Sequence, residues 1–273
     1  MVKNVIIGFP DWTDLASWSG GSWETAYPIS NVGDDEMARV ARSTDATNAS
    51  TQLVATLSSE ELTNLVAVVL PNASVEAEMQ VILKDSGGTQ LADSGRFDVF
   101  PAVFPTDELL WEDERFWIGK YRSDSLAGTL WTRAYWFETQ TYLTKTIEIY
   151  IYDSSNSDGY IDVPYVAIAQ AWQFGLNPAI GAQFGFRGAR TRSVQARGGA
   201  KSFDRLPKPN TWQGTVEFMD RDEAMTRAYE LQRQLDIDKP FIWWPHPDEP
   251  EHWPRTVFIA RNRDVSRLRY VAG

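Results

Sequence analysis

Between Asp107 and Trp117 the chain interleaves carboxylates with large rings: Asp107, Glu108, Glu112, Asp113 and Glu114 stand among Trp111, Phe116 and Trp117. Two carboxyl groups about 5 to 10 Å apart beside rings that stack on a sugar are the ingredients of glycoside hydrolysis. Adjacency in sequence does not set that separation, and an acidic aromatic loop is more often a solvated rim or a docking surface. Trp111 and Trp117 are therefore read as platforms for non-catalytic carbohydrate binding, where an indole lies against a pyranose and nearby polar groups take its hydroxyls.

Other chemistries find less support. The only histidines, His246 and His252, bracket a proline-rich stretch whose spacing matches no zinc motif, so a rigid surface turn is expected there. Asp153 to Gly159 resembles a calcium loop, but the position that would need a bidentate carboxylate is Tyr165. With Cys 0 there is no thiolate nucleophile and no cysteine-ligated metal. Nucleophile-elbow, phosphate-loop and dinucleotide fingerprints are absent as well. The expectation is a protein that is not an enzyme, with no catalytic residue, metal or cofactor.

Charge is unevenly placed. Residues 1 to 160 hold 24 acids and 10 bases, a net of -14, and residues 161 to 273 hold 13 acids and 16 bases, a net of +3, which sum to the chain's -11. Arg187, Arg190, Arg192, Arg197, Lys201, Arg205 and Lys208 face only Asp204. Nucleic-acid modules are usually basic throughout, so nucleic acid is not expected as a partner. A basic surface docking on an acidic one of another copy fits better, and Arg187, Arg190, Arg192 and Arg197 are candidate subunit-interface residues.

The elements that must carry these residues are mostly strands. A length of 273 residues allows one large or two ordinary domains, and 43% hydrophobic with 23% charged residues is the range of a folded protein. The longest aliphatic run, Leu65 to Leu70, falls far short of the roughly 20 residues that span a bilayer, so no membrane partner is expected. The N-terminal apolar run is too short for a secretory signal, so synthesis in the cytoplasm is expected. The load of Trp 12 reads first as core.

Val2 to Phe9 reads as a strand, Ser17 to Trp23 as a loop, and Ala49 to Leu57, Leu62 to Leu70 and Glu78 to Lys84 as three strands punctuated by turns. Thr144 to Tyr152 alternates strictly and is expected to form a hairpin with Tyr160 to Trp172. The long segment from Phe97 to Tyr121 is an insertion of a kind that is commonly functional. Further on, Thr211 to Met219, Phe241 to Trp244, Arg255 to Ala260 and Ser266 to Val271 supply strand material. The one expected helix opens at Asp220, an N-cap that Glu223 completes as a capping box, and presents Ala224, Ala228, Leu231 and Leu235 on one face. The fold class expected is mainly β: an N-terminal β-sandwich over 1–174, and a smaller α+β domain over 175–273 with one amphipathic helix at 220–235 on a sheet.

With these residues in view, a resemblance is visible. Gly20-Gly21-Ser22-Trp23, Tyr27-Pro28-Ile29-Ser30-Asn31-Val32, Arg39 to Asp45, Gln52 to Leu57 and Asp158 to Val163 resemble a discoidin-type, galactose-binding-like jelly roll of the kind carried by virion proteins of tailed bacteriophages. Ala171 to Asn177, Gly198-Gly199, Trp212-Gln213, the helix and Pro245-His246-Pro247 resemble the second domain of distal tail proteins. The resemblance implies a structural virion protein at the tail tip, assembled as a ring, a hexamer in that family, which links the tail tube to baseplate, hub or fibre proteins. Its alternative is a carbohydrate-binding protein for host-surface glycans. The acidic length of 97 to 117 departs from a plain discoidin module, and no sugar-binding set carries over from the family.

Overall fold

The computed structural model describes residues 4–102, 111–112, 117, 119–120, 132–179, 181–186, 192–195, 199–204 and 209–264. Its first strands are β1 (Ile6–Asp11), β2 (Ala16–Ser19), β3 (Ala41–Arg42), β4 (Leu53–Leu70), β5 (Glu78–Lys84), β6 (Gln90–Asp93) and β7 (Phe97–Asp98). β8 (Thr132–Tyr152), β9 (Asp162–Val163) and β10 (Val166–Gln173) follow. The last third contributes β11 (Gln183–Phe186), β12 (Arg192–Gln195), β13 (Lys201–Asp204), β14 (Asn210–Gln213), β15 (Phe241–Trp244) and β16 (Phe258–Ala260).

Two long strands, β4 and β8, build the sandwich. Leu53, Ala55 and Leu57 face the main core from the first half of β4, and Val66, Val68 and Leu70 face the same core from its second half. The inward positions change from odd to even numbers, which a strand of period two permits only through a bulge. The pairing shows where. Thr56 opposes Thr146 and Glu61 opposes Thr144, so extra residues loop out of β4; Thr63 opposes Tyr142 and Leu65 opposes Phe137, so extra residues then loop out of β8. Asn64, buried at this second break, donates from Nδ2 to the Glu138 carbonyl at 3.0 Å and accepts from the Ala171 amide at 2.6 Å. Both strands therefore bend and supply both layers. Ile147, Ile149, Ile151, Met79, Val81 and Leu83 close the core from β8 and β5.

The expected β-sandwich is thus present, mostly β with a small α+β part, but several local readings change. Ala49 to Leu57 and Leu62 to Leu70 are not two strands joined by a turn, since Ser58 to Glu61 remain within β4, whose bulge lies between Thr56 and Glu61. β8 pairs with β4 and β5, whereas β10 pairs with β1 and β4, so the expected hairpin between them is not formed. Part of the expected loop at Ser17 to Trp23 is β2, laid along β4 from Ala16↔Leu57 to Ser19↔Val54. Thr211 to Met219 is extended only as β14, and Ser266 to Val271 lies outside the described residues.

The main sheet runs β16-β15-β1-β10-β4-β8-β5-β6, so segments from both ends of the chain share it. β1 and β15 are buried on both faces: Ile6, Ile242 and Trp244 enter one core cluster, while Ile7, Phe241 and Trp243 enter another. Gly8 of β1 pairs with Ile242 of β15, and a Cβ there would lie 2.6 Å from Leu65 Cδ2 and 2.9 Å from Ile242 Cβ. A continuous helix, α1, passes through Arg221–Glu223, a π-type stretch Ala224–Tyr229 and Glu230–Leu235. Its Leu231 and Leu235 are buried against Val5, Ile7, Trp172, Phe241 and Trp243, the flat apolar surface the sequence called for. A short helical turn, α2 (Trp253–Thr256), precedes β16. Among the described residues no helix is long and apolar enough to cross a membrane.

Most tryptophans belong to this packing. Trp136, Trp172, Trp243 and Trp244 are buried, and Trp12, Trp18, Trp23, Trp212 and Trp253 pack half-buried against the clusters. That leaves Trp111 and Trp117 as the exposed indoles among the described residues, at 75% and 82%.

Candidate functional site

Three chain segments far apart in sequence meet at β3 and β9. Ala41 pairs with Val163 and Arg42 with Asp162, which sets opposite charges directly across an antiparallel ladder. Arg42 donates from Nε and Nη2 to the two carboxylate oxygens of Asp162, at 2.8 and 2.9 Å. This planar, two-pronged pair fixes the guanidinium in orientation as well as place. Its hydrogen bond to Asp162 pushes the Arg42 pKa up, so the charge is permanent. Two rings flank it, Tyr160 with its centroid 4.0 Å and Tyr27 with its centroid 4.9 Å from Cζ.

The surrounding loops are held by their own hydrogen bonds. The Arg42 amide donates to the Tyr27 carbonyl at 3.1 Å and the Glu24 amide to the Arg42 carbonyl at 2.9 Å. Gly21 is needed at φ 61 in the tight stretch before Trp23, because a Cβ there would lie 2.5 Å from the Ser50 carbonyl oxygen. On the other side Asn72 accepts from the Asp162 amide at 2.9 Å and donates to the Tyr160 carbonyl at 2.9 Å and to Asp158 at 3.2 Å. Asp153 takes the Ser74 amide at 2.8 Å and Asn156 Nδ2 at 2.8 Å, so the turn that looked like a calcium loop is occupied by protein donors. The side chains of Arg42 and Asp162 remain 27% and 14% exposed, and Tyr27 is 40% exposed. Arg42 Nη1 has no hydrogen-bond partner among the described residues. The cluster therefore combines an exposed ring, a fixed donor and a compensated charge, which suits a neutral polyhydroxylated ligand.

The residues singled out from sequence are not gathered here. Trp111 and Trp117 are exposed, and the carboxylates Asp107, Glu108, Asp113 and Glu114 lie outside the described residues. Arg187, Arg190 and Arg197 also lie outside them, and Arg192 opens β12 opposite Asp204. Around His246 and His252 the chain forms a turn as expected, in which the Trp253 indole donates to the His246 carbonyl at 3.0 Å and Thr256 Oγ1 to the His252 carbonyl at 2.9 Å. Among the described residues no group of three or more histidine or carboxylate side chains is placed to hold a metal. Sequence reading quoted Tyr27, Arg42, Tyr160 and Asp162 as parts of motifs but did not join them. Arg42 and Asp162 are 120 positions apart, and only the β3–β9 register brings them together.

No protein-family model matches the chain, and no curated protein matches it. Among solved structures, the Clostridium perfringens module CpGH89CBM32-4 overlays 59% of this chain and 100% of its own, at 10% identity and a TM-score of 0.39. The family 32 CBM from C. perfringens NanJ, solved in complex with galactose, overlays 60% of this chain and 99% of its own, at 12% identity and a TM-score of 0.39. For the Streptococcus pneumoniae fucose binding module SpX-3 the shares are 59% and 98%, at 8% identity and a TM-score of 0.37. With SpGH29 the overlay spans 28% of that chain. These are partial overlays, and the β-sandwich is read from this chain's own strand pairing and core.

Proposed function

We propose that the protein is a non-catalytic binding protein whose sandwich engages a neutral saccharide at the Arg42 cluster. The observation that carries this reading is the guanidinium locked by Asp162 beside Tyr160 and Tyr27, with Nη1 unspent and the Tyr27 ring exposed. A sugar ring laid on Tyr27 removes apolar surface from water, and a hydroxyl accepting from Arg42 adds a charge-assisted bond of about 1.5 to 3 kcal/mol. The neighbouring carboxylates are committed to protein donors, Asp162 to Arg42, Asp158 to Asn72 and Asp153 to Ser74, which favours binding over acid–base chemistry. Trp111 and Trp117 are proposed as further stacking surfaces on the same ligand class.

A glycan array followed by titration calorimetry tests this. Tyr27→Ala should weaken binding at least about tenfold, and Arg42→Lys, which keeps the charge but loses the planar fork, should weaken it by a similar factor. Absence of any saccharide signal, or turnover of the bound glycan, would overturn the reading.

A second reading, the structural tail-tip protein, rests on a different observation. β11–β14 and β12–β13 are separate two-stranded ribbons, and Phe186, Val194 and Phe203 stand exposed on them. Such ribbons are marginal alone and present unpaired edges that a neighbouring chain can complete. In this reading the protein assembles as a ring in the virion of a tailed phage, with tube and baseplate or hub proteins as further partners, and the sandwich displays its glycan site outward. Its presence and copy number in purified particles is the corresponding test.

A further inference from the structure

The ribbons β11–β14 and β12–β13 share one register. Phe186 opposes Asn210 at the end of the first and Arg192 opposes Asp204 at the start of the second, so six steps separate the two pairs on either strand. A single bulge between them would make those intervals unequal. The pairs from Gln183↔Gln213 to Gln195↔Lys201 therefore fit one antiparallel ladder, with Gly199 at φ 83 in the turn beyond it. At about 3.3 Å per residue, the run from Gln183 to Gln195 makes an arm about 40 Å long.

The base of this arm is anchored. Trp212 stacks on Trp243 at 4.3 Å, Phe184 lies 6.4 Å from Phe258, and Asn210 Nδ2 donates to the Arg255 carbonyl at 3.2 Å. Towards the tip the cover is lost: Phe184 is 46% exposed and Val194 67%, and residues 193–195 and 201–203 are exposed throughout. In one ladder of period two, Phe184, Phe186 and Val194 stand on the same side as Trp212. The face that packs on this chain's core at the base thus continues outward with Phe186 and Val194 bare.

A two-stranded ribbon is marginal alone in water, so an arm of this length gains from a surface to lie on. Charge indicates which surface. Between Gln183 and Gln213 seven basic residues stand against the one acid Asp204, while residues 1 to 160 carry -14 from 24 acids and 10 bases. A phosphate backbone would use those charges and leave Phe186 and Val194 in water, whereas a protein surface covers both. We propose that the arm crosses to a second copy of this chain and lays its Phe186 and Val194 face on the acidic region of residues 1 to 160. The proposal rests on the assembly reading above and deepens it by naming the surface through which copies meet.

Two measurements on the full chain test it. Spin labels at Gln183→Cys and Gln195→Cys, unique in a chain without cysteine, should lie about 40 Å apart by dipolar spectroscopy, and a separation under half of that would overturn the single arm. A photoreactive phenylalanine analogue at Val194, in an equal mixture of light and nitrogen-heavy chains, reports what the arm touches. Links from light to heavy chains ending within residues 1 to 160 are expected, with a yield that falls at least about tenfold as salt rises toward about 1 M. Lys201→Glu, at an exposed position, should lower that yield and leave the spin-label distance unchanged. Links within one chain only, links between two arms only, or capture of the arm by added duplex DNA in place of the second copy would overturn the docking. Oligomers whose links fall elsewhere would overturn the arm and leave the assembly reading standing. Arm links in a protein absent from phage particles would uphold the arm and remove the tail-tip reading.

Discussion

Asp11 ends β1 with its carboxylate among donors from two segments. It accepts from the Thr13 amide at 2.9 Å and the Tyr165 hydroxyl at 2.9 Å, and also from the Thr13 hydroxyl. That hydroxyl lies within reach of the Val166 carbonyl and accepts from the Ile168 amide, so its one proton cannot serve both Asp11 and Val166. A protonated Asp11 can donate to Thr13 and release that proton to Val166. Burial of the Asp11 carboxyl pushes its pKa up from 3.8 to about 6, against the opposing hydrogen bonds from Thr13 and Tyr165, with Asp14 adding to the rise. The native state then holds the proton more tightly than the unfolded one. The stability it contributes is complete below about pH 3.8 and is lost as pH rises through about 6. Thermal melts should show this fall, and Asp11→Asn should flatten it; an unchanged slope would show that Asp11 is not its source. The same scale explains why Arg42 escaped the sequence reading, since neither arginine in Arg39 to Asp45 carries a mark of its partner.

Elements explain how one sheet joins both ends of the chain. β15 reads from sequence as a strand because Phe241 to Trp244 is an uninterrupted apolar run, the pattern of a strand covered on both faces. That its neighbour is β1 depends on Gly8, whose missing side chain lets Ile242 and Leu65 close in. Gly8→Ala should cost about 1 to 3 kcal/mol through overpacking and should loosen β15 and β16 first. Hydrogen exchange on the amides of β15 checks this, with uniform protection loss counting against a local effect. Helix α1 gives the complementary lesson. Asp220 accepts from the amides of Asp222 and Glu223 at 2.8 and 3.4 Å, as its N-cap position requires. Glu223 does not complete the capping box: it accepts from the Trp172 indole at 3.0 Å and the Gly175 amide at 2.9 Å. Local spacing identified the helix, and the tertiary contact diverted its third residue.

For the whole molecule the uneven charge becomes a statement about association. The ribbon β12–β13 presents Val194 and Phe203 on opposite faces, because Ser193 opposes Phe203 and Val194 opposes Ser202, and both side chains are exposed. It lies within the arginine-rich stretch, whereas residues 1 to 160 carry -14 from 24 acids and 10 bases. Contact between the ribbon of one copy and the acidic region of another should give concentration-dependent sedimentation that weakens as salt rises toward 1 M. Phe203→Ser should reduce it at low salt. A single 30.9 kDa species at every concentration and salt would count against self-association through this surface.

Composition and periodicity by themselves determined the class: a chain without cysteine, rich in short alternating apolar runs, with one capped amphipathic helix, folds as mostly β because each run has one or two faces to bury. Those are local quantities, carried within ten or so neighbouring residues. The bend that lets β4 and β8 serve both layers, the place of β15 beside β1, and the meeting of Arg42 with Asp162 were decided only in the folded chain. Each depends on which strand lies beside which, and the energy that selects a register comes from burying both partners at once, so it is written in neither segment alone.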